Sequence, residues 1–317
     1  MQKRAWLDEA TYAELVALCQ TLPGPASTQT GIAIGLLRAG PLGALAAWLG
    51  FTLPSFVLMV AFAYLTTLPV ELGWLFPVLK LVAFVVVALA VWRMARALAW
   101  DLPRGAIALG SAAVVFAFPV AIVQVLVIAV AGVVGWLVLP APPAAPSAPL
   151  RVPVGPRVAA ACLALYLALL VALPVASAAT ENFEVRLIDS IYRSGALVFG
   201  GGHVVLPLLH AEVVPNGWVS EDQFVAGYGA AQLMPGPLFT FAGFLGATID
   251  GLTGAVLATL AIFLPGALLV FAALPSWGAV RSRSWAQRTL RGINAAVVGL
   301  LLAALVGIAR AIASMLI

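Results

Sequence analysis

The chain has 317 residues, 63% of them hydrophobic and 9% charged, with a mean hydropathy of +1.11. A soluble domain carries about 25% charged residues, so a soluble fold is excluded, and several runs reach the ~20 apolar residues needed to span a bilayer. The net charge of +4 is small, and arginines placed between apolar runs fit cytoplasmic anchoring, not nucleic-acid binding.

The opening Met1-Gln2-Lys3-Arg4 passes straight into Trp6-Leu7-Asp8, which predicts no cleaved signal peptide. Residues 8–22 read as an amphipathic helix capped by Asp8 and too short to span. It meets Leu22-Pro23-Gly24-Pro25, where proline removes a backbone donor and stops the helix. The second proline suits the first turn of a new helix over 26–38, polar at Ser27, Thr28 and Gln29 and ending at Arg38. Residues 42–66 are long enough to cross, with a kink at Pro54. A loop holding Glu71 follows, and then 74–97 crosses again. Two further apolar stretches, 105–118 and 120–139, form a hairpin turning near Pro119. Lys80, near the start of its helix, is expected to snorkel to the interface.

Between Pro140 and Pro156 lie seven prolines in seventeen residues, an extended cytoplasmic linker. The span 158–179 leads to a loop with Glu181 and Glu184. Residues 186–198 and 203–213 are both too short to span, and Gly200, Gly201 and Gly202 break the chain between them. A second broken hairpin occupies 219–250, centred on Met234-Pro235-Gly236-Pro237. A span over 252–274, a basic loop with Arg281 and Arg283, and a last helix to about Ser314 complete the chain.

The two Pro-Gly-Pro segments belong to an internal repeat. A shift of 212 superposes Trp6 on Trp218, Glu9 on Glu221, Gln20 on Gln232 and Thr28 on Thr240. It also sets Arg38 on Asp250, while a shift of 211 carries Gly40 to Gly251 and Pro54 to Pro265. Equivalent loops carry opposite charge: Glu71 in the first copy faces Arg281 and Arg283 in the second. Because basic loops stay cytoplasmic, the copies are expected to run in opposite directions. The fold class is an all-α polytopic membrane protein of two inverted-topology repeats with broken, re-entrant half-helices. Its divisions are a first repeat over 1–139, the proline-rich linker over 140–157 and a second repeat over 158–317. Inverted repeats with broken helices meeting near the midplane are the architecture of secondary transporters.

Each new helix begins with free N–H groups and a positive dipole end, an anion site in waiting; the plainer alternative is a kink that shapes packing. The substrate-binding candidates are Pro23, Gly24, Pro25, Ser27, Thr28, Gly200, Gly201, Gly202, His203, Pro235, Gly236, Pro237 and Thr240. His203, which opens a helix, either presents an N–H or carries a proton, or else is satisfied by backbone as a cap. Asp189 and Arg193 share a helix face as an ion pair that holds the helix or, for Asp189, serves coupling. Gln20 and Gln232 stand ready to satisfy carbonyls freed at the breaks or to reach a solute. No catalytic constellation, metal site or cofactor motif is evident: His203 and His210 lack a third ligand, and Cys19 and Cys162 read as packing residues.

Leu22-Pro23-Gly24-Pro25-Ala26-Ser27, Met234-Pro235-Gly236-Pro237, Phe199-Gly200-Gly201-Gly202-His203-Val204 and Trp6-Leu7-Asp8-Glu9 together resemble the bacterial chromate ion transporter family over nearly the full length. That resemblance implies chromate efflux across the inner membrane, driven by protons and competed by sulfate. The partners expected are a small oxyanion, protons and the bilayer, with a homodimer as the assembly considered. The alternatives are an uptake or exchange carrier for sulfate or another oxyanion, and a non-transporting membrane subunit or sensor; an enzyme is the remotest. The resemblance also implies a Phe-Gly-Gly segment ahead of Trp6, where only five residues stand. Either upstream codons encode it, or the chain is a degenerate homologue.

Overall fold

The computed structural model describes residues 7–67, 75–141, 153–199, 202–277 and 283–313. Among these the protein has eleven α-helices and no strand. They are α1 (Glu9–Thr21), α2 (Ala26–Thr67), α3 (Leu75–Leu98), α4 (Leu102–Ala117), α5 (Ala121–Val138) and α6 (Pro156–Ala179). Then come α7 (Phe183–Ala196), α8 (Val205–Val213), α9 (Glu221–Leu233), α10 (Phe241–Ala273) and α11 (Ser284–Ala313). Six stretches are long and apolar enough to cross a membrane, and α7 and α8 fall short of that length, as their 14 and 9 residues dictate. The protein is a multi-pass, all-helical membrane protein.

Local chemistry sets the helix starts. Asp8 caps α1 by accepting from Thr11 N–H at 2.7 Å, Asn182 caps α7, and Ser220 and Gln223 close a capping box on α9. Pro103 and Pro156 occupy first-turn positions of α4 and α6, where no N–H is needed.

Hydrogen-bond continuity hides a reversal inside α2. Ala39 (φ −145°, ψ 25°) and Gly40 (φ 64°, ψ −156°) leave helical geometry. In an unbroken helix, residues eight apart stand about 12 Å apart. Here a methyl group on Gly35 would lie 2.3 Å from the Gly43 carbonyl oxygen, so 26–38 and 41–67 fold against each other as a hairpin. The same device recurs in α10, at Asp250 (φ −142°, ψ 36°) and Gly251 (φ 58°, ψ −146°), with Gly246 against Gly254. The matching dihedrals pair Asp250 with Ala39, which corrects the register that set it on Arg38 by one residue.

The halves interlock. Met59, Val60 and Leu79 share one core with Ile191, Tyr228, Phe244, Ile262 and Val297. α2 packs on α10, α3 on α9 and on α11, and α11 also lies along α4 and α5. Backbones touch where glycine permits: a Cβ at Gly292 would meet Ala131 O at 2.1 Å, and one at Gly299 would meet Ala108 O at 2.2 Å. Such small-residue contacts are how helices associate where lipid replaces the hydrophobic drive. α6 is peripheral, burying only Ala159 and Tyr166. Lys80 does not snorkel. It is buried, and its ammonium pairs with Asp222 at the start of α9, a partner that becomes visible only once α3 lies on α9.

Candidate functional site

Three chain breaks meet. The first follows α1: Leu22 turns extended (φ −74°, ψ 148°), and Gly24 takes φ +118°, a left-handed value that glycine alone adopts without strain. The second lies between α7 and the 3-10 turn Gly202–Val204 that leads into α8. The third follows α9, where Met234 is extended (φ −82°, ψ 139°) and Gly236 takes φ +131°. Gly24 N–H donates to the Val198 carbonyl at 2.7 Å, which fastens the first break to the second. A Cβ on Gly202 would stand 3.6 Å from Leu238 Cδ2, which brings the second to the third.

The outer two breaks also seat reciprocally. Gly24 packs on Gly266, where a Cβ would meet Gly266 Cα at 3.1 Å; Gly236 packs on Ser55, where it would meet Ser55 Cβ at 2.5 Å. Gly266 and Ser55 each follow the repeated proline, Pro265 and Pro54. Contacts of this form, i on j and the equivalent of i on the equivalent of j, are what a two-fold relation generates.

Buried carbonyls freed by the breaks need donors. Gln29 supplies one in the first copy: its Nε2 donates to Pro23 O at 2.8 Å and reaches Gly266 O, inside α10, at 3.2 Å. In the second copy, Thr240 N–H and Oγ1 donate to Pro237 O at 3.0 and 2.8 Å, and Thr240 Oγ1 lies 2.6 Å from Ser55 Oγ. Pro23, Gly24, Pro25, Thr28, Pro237 and Thr240 are buried, while Ser27, Pro235 and Gly236 are exposed. Gly200 and Gly201 lie outside the described residues. Gln20 is exposed, and the Pro23 carbonyl goes to Gln29. Gln232 keeps a buried Nε2 without a partner, as does Thr28 at its Oγ1.

His203 is half-buried, and its Nδ1 lies 2.9 Å from Tyr228 Oη on α9. Burial lowers its pKa from the ordinary 6.5, so the ring is neutral near pH 7. His210 takes a different partner, Glu221 at 2.7 Å. Asp189 and Arg193 form the expected pair, with Nε–Oδ1 and Nη2–Oδ2 both at 3.0 Å. Glu212 of α8 joins the same guanidinium at 3.1 Å.

Pattern reading placed Gln29 only in the polar start of its helix, without its donor role, and missed Ser55, Tyr228 and Glu212. For Ser55 a signal existed, since it follows Pro54 as Gly266 follows Pro265. For Tyr228 and Glu212 none did, because their partners lie 25 and 19 residues away.

With this geometry in view, the chromate transporter family model matches residues 1–136 and 185–317. The chain belongs to that family. The match leaves out the proline-rich segment and all of peripheral α6. A chromate transport protein of Pseudomonas aeruginosa is 28% identical over 98% of this chain and 74% of its own length. One from Cupriavidus metallidurans is 28% identical over 98% and 75%, and a probable chromate transport protein of Synechococcus elongatus is 27% identical over 98% and 77%. No solved structure matches.

Proposed function

We propose that this chain is a secondary carrier of a divalent oxyanion, moving chromate outward across a bacterial inner membrane with protons as the coupling ion. The observation that carries the reading is the meeting of three broken helix ends, fastened by Gly24 N–H to Val198 O and by Gly202 against Leu238. Helix starts with free N–H groups attract anions without a full set of arginines. Thr28 Oγ1 and Gln232 Nε2, buried and unpartnered beside the breaks, are polar groups a bound oxyanion would satisfy. The Pro-Gly-Pro residues, Gly200 to His203, Ser27 and Thr240 form the binding set, with Gln29 and Gln232 in support, and His203 and the charged cluster around Asp189 and Arg193 as the places where a coupling proton can sit.

Opposite orientation of the two copies, over 1–139 and 158–317 with a cytoplasmic linker between, belongs to the same reading. The reciprocal contacts of Gly24 with Gly266 and of Gly236 with Ser55 support it. So does the placement of Lys80 beside Asp222, which sets the start of α3 beside the start of α9.

The test is flux of labelled chromate and labelled sulfate into proteoliposomes holding the purified protein. Saturable chromate flux, competed by sulfate and lost in Gly201→Val and Pro237→Ala with insertion intact, is the expected result. Sulfate flux without chromate flux would turn the reading to a sulfate carrier, and flux of neither would overturn it.

A further inference from the structure

Arg193 sits between two carboxylates. Its Nε and Nη2 bind Asp189 at 3.0 Å each, and its Nη1 and Nη2 bind Glu212 at 3.1 and 3.2 Å. Both acids are nearly enclosed, with side chains 5% and 9% exposed. One cation faces two anions, leaving one negative charge in a buried place. Uncompensated charge there is costly, and a group in that position neutralises by taking a proton.

The two carboxylates are not equivalent. Asp189 lies on the same helix as Arg193, one turn away, and holds the shorter contacts. Glu212 reaches across from α8, so its bond to Arg193 ties α8 to α7. Burial pushes the Glu212 carboxyl above the usual carboxylate range; Asp189 adds to that, and Arg193 and Ser190 oppose it. Among the described residues, no other ion pair or hydrogen bond to the Glu212 carboxylate comes from the other helices on α8. Gln124 of α5 donates to the Pro207 carbonyl, Arg310 of α11 lies over the Phe116 ring, and His210 on α8 itself is engaged with Glu221.

We propose that Glu212 is the residue that takes up the coupling proton, and that its protonation frees α8 from the Arg193 clamp. This rests on the proton-coupled carrier reading above. The step is a simple transfer: the Glu212 carboxylate accepts a proton from hydronium on one side, becoming the carboxylic acid, and returns it to water on the other. Neutral Glu212 no longer holds a full ion pair, while Asp189 keeps Arg193 on α7. At about 1.5 Å per residue, α8 runs roughly 10 Å from Glu212 back to Val205, directly after the Gly202–Val204 turn, so freeing one end shifts the tip that meets Leu238.

Two measurements on the full-length protein test this. Carboxyl infrared absorption, followed through a pH titration in detergent, needs no substrate. A carboxyl that protonates above the usual range should appear in the wild type and vanish in Glu212→Gln; an unchanged titration overturns the proposal. In proteoliposomes with a trapped pH dye, Glu212→Gln should keep chromate–chromate exchange within about 3-fold of wild type yet move no protons. Asp189→Asn, which leaves Arg193 wholly to Glu212, should move the pH midpoint of driven flux down by about 1 unit. Should Glu212→Gln fail to fold, an unmoved midpoint in Asp189→Asn still overturns the assignment. Wild type that moves chromate without protons refutes the coupling reading itself, whereas wild type and Glu212→Gln that both move protons refute Glu212 alone.

Discussion

The amide of Gly24, in the first copy of the repeat, is bound at 2.7 Å by the carbonyl of Val198, in the second. At Gly24 the backbone takes φ +118°, a value glycine alone adopts without strain. Gly236 makes the corresponding turn in the second copy.

Alanine at either glycine should destabilise the protein and abolish transport. A left-handed residue with a Cβ costs about 1–2 kcal/mol, and each site adds a clash. At Gly236 the clash is with Ser55 Cβ at 2.5 Å. In Gly236→Ala combined with Ser55→Gly, the clash is relieved and the backbone strain stays. Thermal unfolding in detergent should show partial recovery in the double variant, and full recovery would refute the backbone argument.

Gln29→Leu should cost about 1–3 kcal/mol, since it leaves the buried Pro23 carbonyl without its donor and removes the second bond to Gly266 of α10. Gln29→Glu should fail as well, because a carboxylate has no hydrogen to give. A melting temperature unchanged in Gln29→Leu would show that water takes over both bonds.

Close helix packing predicts a graded response among glycines. Gly292→Leu must push α11 off the α5 backbone, where even a Cβ would sit 2.1 Å from Ala131 O, whereas Gly110→Ala meets nothing within 4 Å. Size-exclusion profiles in detergent should show aggregation for the first and a wild-type peak for the second.

His203 sets a pH signature. Burial holds its folded pKa below the ordinary 6.5, so the unfolded chain binds the proton more readily. Its contribution to stability is whole above 6.5 and falls as the pH drops from there through the folded value. His203→Gln removes this titration, and the acid-side decline in melting temperature should flatten. An equal decline in both proteins would assign it to other groups.

Sidedness can be read by labelling. With Cys19 and Cys162 replaced, single cysteines at positions 71 and 181 should react with an impermeant thiol reagent from outside, and one at 283 only from inside. Reaction of all three from one side would end the opposite-orientation reading.

What the sequence disclosed was local. Proline and glycine mark the breaks, so the Pro-Gly-Pro turns could be found by position alone, and Gly40 was visible only as the repeat equivalent of Gly251, its reversal emerging from the backbone dihedrals. Run length separated α7 and α8 from spanning helices for the same reason. Lys80 shows the limit: beside apolar neighbours it reads as a snorkelling residue, and only the packing of α3 on α9 supplies Asp222. The donor role of Gln29 was overlooked in favour of Gln20 because nearness in sequence suggested the donor. The carbonyl at Pro23 is in fact met by Gln29, one turn into the new helix.

Gly24 leans on Gly266, and Gly236 leans on Ser55, so neither copy finishes its own turn. A fragment ending at residue 139 would insert its apolar helices yet lack the surface that shapes its first break, and the remainder would be short of the opposite surface. Each would wait, half-made, until it met the other in the bilayer. Unfolding should accordingly be a single cooperative event spanning both copies, however clearly a proline-rich segment divides them on paper.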